Sequence, residues 1–532
     1  MKIPVIDIFA GPGGLGEGFS NVPSANWRSF DIKLSIEKDE NAHKTLELRS
    51  FYRKFAAKNV PQDYFKILEE KDFDKRELLK EKLFKSYPKK ARAAKNETWC
   101  TTLGVEPSDN VDARIRRALR GNNNWVLIGG PPCQAYSLVG RSRNQVKDNL
   151  DNTDIRVHLY KEYLRIIAVH SPAIFVMENV KGLLSARVND EKIFDLIKRD
   201  LRDPSIVFPE AEYKYKIYSL ISNPKDSDDE GQPIYNSDSD YLIRSENYGV
   251  PQKRHRVILL GIREDIEIIP DTLDEHPDLI KLKDVIGDLP KIRSELNRSF
   301  VKSETVIVEG KEKKKRFYKK EVDSNQNWKK LINSFRNEII SWNGFAKNYS
   351  SLEIEVPEKG IGSEFVECIT PSEKNPLYDW YYDKNLKGAA NHESRSHLIQ
   401  DLKRYMFSSM FTKTYERFPR LHEYEEHSLE LLPDHDNVKS GKFADRFRVQ
   451  LPNEPATTVT SHISKDGHYF IHYDSDQCRS LTVREAARIQ TFPDNYLFCG
   501  SRTAQYHQVG NAVPPYLAMQ IAEIILKIFT KI

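Results

Sequence analysis

The sequence predicts an α/β protein: a doubly wound, mostly parallel sheet, accompanied by a second, irregular domain. Three observations carry this. Apolar runs of strand length recur near residues 4–9, 28–36, 125–129, 173–178, 215–221 and 256–262, with helical segments between several of them, and such alternation builds doubly wound sheets. Between about residues 265 and 445 the pattern gives way to aromatics, prolines and charges. It returns at Ile521-Ala522-Glu523-Ile524-Ile525-Leu526, which has the apolar weight of a helix packed back on the first unit. The expected units are therefore residues 1–265, with a helical insertion at about 40–110, then residues 266–445, and residues 446–532 returning to the first unit.

Taken in order, Val5-Ile6-Asp7-Ile8 is an apolar strand that breaks into the glycine-rich turn Phe9-Ala10-Gly11-Pro12-Gly13-Gly14. Such a turn lets backbone approach a nucleotide-like cofactor. Its spacing departs from G-x-G-x-x-G, which weakens the case for a nicotinamide dinucleotide. Residues 63–95 are charged and helical, longer than a plain crossover needs. The strand Trp125-Val126-Leu127-Ile128 runs into Gly129-Gly130-Pro131-Pro132-Cys133-Gln134. Two prolines fix φ and remove two backbone donors, so a thiol is held stiffly at a strand's carboxyl end, where α/β sheets place chemistry. Cys133 reads as a nucleophile; the alternative is a small buried hydrophobe. Phe175-Val176-Met177-Glu178-Asn179-Val180 ends another strand on an acid able to face the same crevice, or to cap a helix beginning near Gly182.

Composition narrows the class. The 532 residues carry 82 cationic and 78 acidic side chains, a formal net charge of +4, too mild to indicate nucleic acid by itself. Five cysteines, Cys100, Cys133, Cys368, Cys478 and Cys499, show no paired C-x-x-C spacing, so neither a metal site nor a disulfide framework is expected. No stretch approaches 18 uninterrupted apolar residues, and the first strand begins too early for a signal peptide. A cytoplasmic protein with no membrane contact is expected, and a monomer. Locally, residues 311–320 hold seven cations with aromatics inside the run; this is a solvated face or a phosphate-contacting loop. The basic cluster at 85–95 reads as a surface helix, and the acidic tract 226–231 as a solvent loop.

In this order the segments resemble the cytosine-5 DNA methyltransferase family. Asp7 to Gly14 is similar to its first motif, which holds S-adenosylmethionine, and Ser35-Ile36-Glu37-Lys38-Asp39 to its second, whose acid binds the ribose hydroxyls. Pro132-Cys133-Gln134 and Glu178-Asn179-Val180 carry its Pro-Cys-Gln and Glu-Asn-Val signatures, and Gln252-Lys253-Arg254-His255-Arg256 its Gln-x-Arg-x-Arg motif. Pro455-Ala456-Thr457-Thr458-Val459-Thr460 with Arg479 to Gln490 is similar to the ninth motif, and Gln508-Val509-Gly510-Asn511-Ala512-Val513-Pro514-Pro515 to the tenth. The resemblance implies the class I S-adenosylmethionine-dependent methyltransferase fold, with residues 266–445 as target-recognition domain. It implies a cofactor pocket of Phe9, Gly11, Gly13, Glu37, Pro132, Leu159, Asn511 and Val513, with Asp112 at the adenine edge.

The implied activity is site-specific methylation of cytosine C5 in double-stranded DNA. Cys133 would add to C6 of a flipped base, with Glu178 at N3 and Arg254 and Arg256 holding O2. Residues 135–144, with glycine, hydroxyls and two arginines, read as a loop closing over phosphates, or as an ordinary basic surface loop. A restriction-modification role with a cognate endonuclease is expected. An RNA cytosine-5 methyltransferase of the same fold, or an inactive DNA-binding regulator, are the alternatives; the long recognition stretch favours DNA, and intact Cys133, Glu178, Arg254 and Arg256 favour an enzyme. Methylation of an exocyclic amine is disfavoured, because Cys133 stands where that chemistry needs an aromatic.

Overall fold

The apolar runs of the first 263 residues become one sheet. The computed structural model describes residues 2–24, 27–131, 155–188, 190–308, 311–342, 344–345, 349, 353–368, 372–432 and 447–532. Eight strands form the sheet: β1 (Ile3–Ile8), β2 (Phe30–Glu37), β3 (Thr98–Cys100), β4 (Val126–Gly129), β5 (Ile174–Val180), β6 (Tyr215–Tyr218), β7 (Leu242–Arg244) and β8 (His255–Arg263). Their order is β6-β8-β5-β4-β1-β2-β3, with β7 also on β8. Strands β1 to β5 pair in parallel, while β8 is antiparallel to β5, β6 and β7. The alternation read from sequence thus gives the mostly parallel sheet. Two strands escaped it. Thr98–Cys100 and Leu242–Arg244 have three residues each, too short for a period to show.

Side chains alternate across the sheet, and each face has its own core. Val126, Ile128, Val176 and Leu260 face α1 (Gly14–Asn21) and the C-terminal helix, whereas Leu127, Phe175, Met177 and Leu259 face helices α6 (Ser108–Leu119), α7 (Ile155–His170) and α8 (Ile193–Arg202). Past α11 (Val483–Ile489), residues 502–529 form two helices, α12 (Arg502–Asn511) and α13 (Pro515–Phe529). Proline at the start of α13 suits a helix N-terminus, where no amide partner is needed. By length and hydropathy the span 502–529 could cross a membrane, but Ile521, Ile524 and Ile525 are core residues against the sheet. The C-terminal segment therefore completes the N-terminal unit. The two segments pack closely: a Cβ on Gly14 would lie 2.2 Å from the Val513 carbonyl oxygen, and one on Gly18 2.4 Å from that of Pro515.

The insertion contains α2 (Glu40–Arg53), α3 (Gln62–Glu69), α4 (Phe73–Ser86) and α5 (Pro88–Glu97). Asp39 and Asp72 cap α2 and α4 by accepting from the amides of Ala42 and Lys75. In the basic cluster, Lys85, Lys89, Arg92 and Lys95 are exposed. The acidic tract opens a short exposed hairpin, Asp226–Ser227 on Pro233–Ile234.

The region after 265 has a separate core of Trp328, Ile332, Tyr405, Met406 and Phe411, built on α9 (Asn325–Ser341) and α10 (Ile399–Tyr415). That core extends to Val449, Ile471 and Cys478. Two hairpins accompany it: β9 (Arg298–Val308) with β10 (Lys311–Lys320), and β11 (Gly362–Glu367) with β12 (Gly388–Glu393). Residues 311–320 are thus a strand instead of a loop. Continuous pairing with β9 supplies the backbone hydrogen bonds that the charged side chains do not.

Gly18→Ala should destabilise the protein by about 1–3 kcal/mol, the range for an overpacked core, because the new methyl would also sit 2.5 Å from the Ala518 Cβ. Thermal or urea unfolding measures it, with Gly182→Ala, which meets nothing within 4 Å, as the near-neutral control.

Candidate active site

The glycine turn is held open on one side and packed on the other. Phe9, Gly11 and Gly13 have φ of 56°, 57° and 92°, a left-handed path that costs an ordinary residue energy and suits glycine. A Cβ on Gly11 would meet nothing within 4 Å, but one on Gly13 would strike Leu46 at 2.7 Å. The turn is fixed from three directions. Ala10 donates its amide to Ile36 O at 3.1 Å, the Gly11 amide donates to Glu37 Oε2 at 2.8 Å, and the buried Tyr496 hydroxyl donates to the Pro12 carbonyl. Glu37 Oε1 also accepts from the Asp39 amide at 2.8 Å. Its carboxylate thereby joins the turn after β1 to the end of β2.

Around this opening the structure gathers several of the expected cofactor residues. Thr101, just past β3, donates its amide to the Glu37 carbonyl at 3.1 Å. Gly104 follows, and its Cβ position lies 3.6 Å from the buried Leu159. Val513 abuts Gly14 from the other side. Asn511 is exposed at the end of α12, 3.2 Å from a His507 ring nitrogen. Asp112 is placed differently from the expectation. Its carboxylate takes two bonds from Arg165 Nη1, at 2.9 and 3.0 Å, and one contact of 2.9 Å with His170 Nε2. It ties α6 to α7 through these bonds, while Thr101 and Gly104 lie beside Glu37 and Leu159.

The second half of the site lies at the ends of β4 and β5. Parallel pairing sets Gly129 opposite Met177, so Gly130 meets Glu178. A Cβ on Gly130 would be 2.8 Å from Glu178 Oε2; only glycine leaves room for that carboxylate. The chain then continues from Pro131 into Pro132 and Cys133, which lie outside the described residues, as do residues 135–144. Glu178 does not cap the short helix at 181–185, whose cap position is Val180. It pairs instead with Arg256, Nε to Oε1 at 2.8 Å, both side chains only about one-seventh exposed (15% and 14%).

The two arginines of the Gln-x-Arg-x-Arg segment separate. Arg256 lies in β8, paired opposite Val180 at the carboxyl end of β5. Arg254, expected on the base, is 1% exposed and donates through Nη1 to the Val459 carbonyl at 2.8 Å and that of Gly510 at 3.4 Å. It precedes the strand and turns inward. Burial, with Arg256 nearby, pulls its pKa down, while Glu178 opposes. Among the described residues no carboxylate forms an ion pair with it, so a guanidinium that cannot shed its proton leaves positive potential behind Glu178. Gln252 completes the join: it accepts from the Val459 amide at 2.6 Å and donates to Gln490 Oε1 at 3.0 Å. Among the described residues no group of three or more His, Cys, Asp or Glu could hold a metal ion.

The C-5 cytosine-specific DNA methylase family profile matches residues 98–376 and 367–527. The chain is 31% identical over 534 residues to the type II methyltransferase M.Bpa9945I of Bacillus paralicheniformis, covering 97% of each chain. It is 28% identical over 430 residues to the DNA (cytosine-5-)-methyltransferase M.ApeKI of Aeropyrum pernix, covering 77% of this chain and 82% of the relative. A putative type II methyltransferase of Oceanobacillus iheyensis, M.OihORF3336P, is 25% identical over 549 residues, 99% of this chain and 96% of the relative.

One titration follows from the site's floor. Asp7 in β1 is buried, and desolvation, which outweighs the attraction of Arg53, raises its pKa to about 8. The folded protein therefore keeps a proton that the unfolded chain releases above about pH 4, and stability falls as pH rises from about 4 to 8. Asp7→Asn removes this dependence. The stability of the variant relative to the parent should climb between pH 5 and 8 by up to about 1.4 kcal/mol per pH unit and level off above 8, as read from unfolding curves.

Proposed function

The chain belongs to the C-5 cytosine-specific DNA methylase family, and from that premise we propose that it methylates cytosine at one DNA sequence through a covalent adduct of Cys133. The observation that carries this reading is the placement of Glu178: against Gly130, paired to Arg256, where the chain enters the Pro-Cys-Gln segment. C5 of cytosine is a weak nucleophile until C6 gains an electron pair. The Cys133 thiolate supplies it, forming the S–C6 bond and pushing electrons towards N3, where Glu178 delivers a proton. The buried charge of Arg254 favours a thiolate over a thiol. Arg256, paired to Glu178, is the arginine we assign to the base's O2.

S-adenosylmethionine is the proposed cofactor and would supply the electrophilic methyl group. The described residues fit it: the backbone at Gly11 is open, and Glu37 stands at the end of β2 to take the ribose hydroxyls. Phe9, Gly13, Leu159, Val513, Asn511 and residues 101–104 would line the remainder, with Pro132. After transfer a base removes the C5 proton, the electrons of that bond form the C5–C6 double bond and expel Cys133 as thiolate, and N3 returns its proton to Glu178. A stacked cytosine cannot present C6 to a thiol, so the base must be flipped out, with residues 135–144 as the closing segment.

Residues 266–445 are proposed to choose the sequence. Relatives named type II methyltransferases support a place in a restriction-modification system, with a cognate endonuclease as partner in the cytoplasm. One copy carries every motif, so a monomer suffices.

Cys133→Ser should abolish methyl transfer to DNA while cofactor affinity, measured by calorimetry, stays nearly intact. Duplex DNA bearing 5-fluorocytosine at the target should trap the parent enzyme in a denaturation-resistant complex, and absence of that complex would overturn the covalent route. Glu178→Gln should slow turnover by roughly 10²-fold or more, with DNA binding changed far less.

A further inference from the structure

The charge of this chain is concentrated in one element. Residues 298–320 contain nine Lys and Arg against three Glu, a net +6. The whole chain is +4, so everything outside the β9–β10 hairpin nets −2. Near its base the hairpin is anchored to α10 and to the residue that follows β10. The Phe300 amide donates to Gln400 Oε1 at 3.0 Å, Gln400 Nε2 donates to the Phe300 carbonyl at 3.2 Å, and Ser299 donates to Glu321 at 2.6 Å. Beyond that point it meets solvent: Val301 is 58% and Ile307 78% exposed.

The register sorts the cations onto both faces. A bulge between Phe300 and Lys302 resets the alternation, and Lys302 then faces Phe317 across the ladder. Lys302, Lys315 and Lys319 therefore share one face. Arg298, Lys314, Arg316 and Lys320 share the other, on which Arg298 lies 4.2 Å over the Tyr318 ring. A ribbon lying flat on a polyanion needs charge on one face only. A ribbon standing in a groove meets phosphates on both walls. Ten residues at about 3.3 Å each span about 33 Å, close to one turn of duplex, and the major groove, about 12 Å wide, admits a two-stranded ribbon.

We propose that the β9–β10 hairpin is an arm that enters the major groove of duplex DNA beside the target and grips both phosphate walls, supplying affinity without choosing sequence. This rests on DNA being the substrate. The competing role for the lysines is to keep an exposed strand edge from pairing with another chain.

The test is fluorescence anisotropy with full-length protein on two labelled duplexes, with and without the target, across 50 to 300 mM KCl. The variants are Lys314→Gln, Lys315→Gln, Arg316→Gln and Lys319→Gln combined, and a chain in which residues 301–317 are replaced by a tight turn. The slope of log K against log salt should fall by about 0.9 for each phosphate no longer neutralised, up to about 3.6 for the quadruple variant. Affinity should drop by a similar factor for both duplexes at each salt concentration, and the drop at 50 mM should exceed that at 300 mM by up to about 600-fold, the sixfold change in salt raised to the slope difference. The methylated sequence and the turnover at saturating DNA should be unchanged. An unaltered slope overturns the arm, as does weakening confined to the target duplex, or a slope that depends on the arm with duplex RNA but not with DNA. A parent protein that makes no 5-methylcytosine, yet shows a shallower slope when the arm is neutralised, sinks the catalytic reading and leaves the arm standing.

Discussion

Everything at the catalytic edge depends on how closely the two ends of the chain meet. Helix α1 begins at the glycine turn and ends in the core, and Gly14 and Gly18 let its backbone touch residues 513–519 with no side chain between. That packing sets where the turn sits relative to β1, and Tyr496 pins the same turn from the C-terminal segment. The open space at Gly11 exists because its neighbours are packed so tightly that the turn cannot relax into it. Pocket and core are two sides of one constraint.

A second set of interactions ties the C-terminal segment to the region after 265. Arg479 binds Glu485 through two bonds of 2.7 Å, and Arg488 binds Asp494 at 2.9 and 2.7 Å and Asp288 from the region after 265. Arg484 donates to the carbonyls of Ala390, Pro493 and Tyr496. All three arginines are fully buried. Buried charges stabilise little unless every partner is in place, yet removing one partner is costly. Such a cluster favours a single arrangement of the region after 265 against the C-terminal segment over a range of them.

The sheet was legible because its strands are fully buried and read as continuous apolar runs, and the turn because its glycines stand where a left-handed backbone is required. Thr98–Cys100 was not, since three residues leaving a helix carry no period. Nor did spacing show that the Asp112 carboxylate is held by Arg165 and His170, since those partners lie more than fifty residues away. Arg254 and Arg256 are chemically identical and two residues apart, so sequence could not tell which of them turns into the interior. Packing decides it, through carbonyls of Val459 and Gly510 some two hundred residues away. Nor could composition show that residues 311–320 form half a ribbon, because charge masks strand propensity there.

The helical insertion bears on how such proteins diversify. Its core of Phe51, Tyr64, Phe65 and Leu68 continues into Phe365 and Ala390 of the β11–β12 hairpin and into Leu497 and Cys499, and Arg76 reaches Glu364 at 3.2 Å. Asn495 joins Tyr52 to Asp383. If residues 266–445 choose the target as proposed, the heritable unit of that choice is discontinuous along the gene. A recombination event confined to the coding segment for residues 266–445 would leave half of a shared hydrophobic interface mismatched. Lineages that change target by exchange should carry the two segments together, or accumulate paired substitutions across positions 51–68 and 364–390.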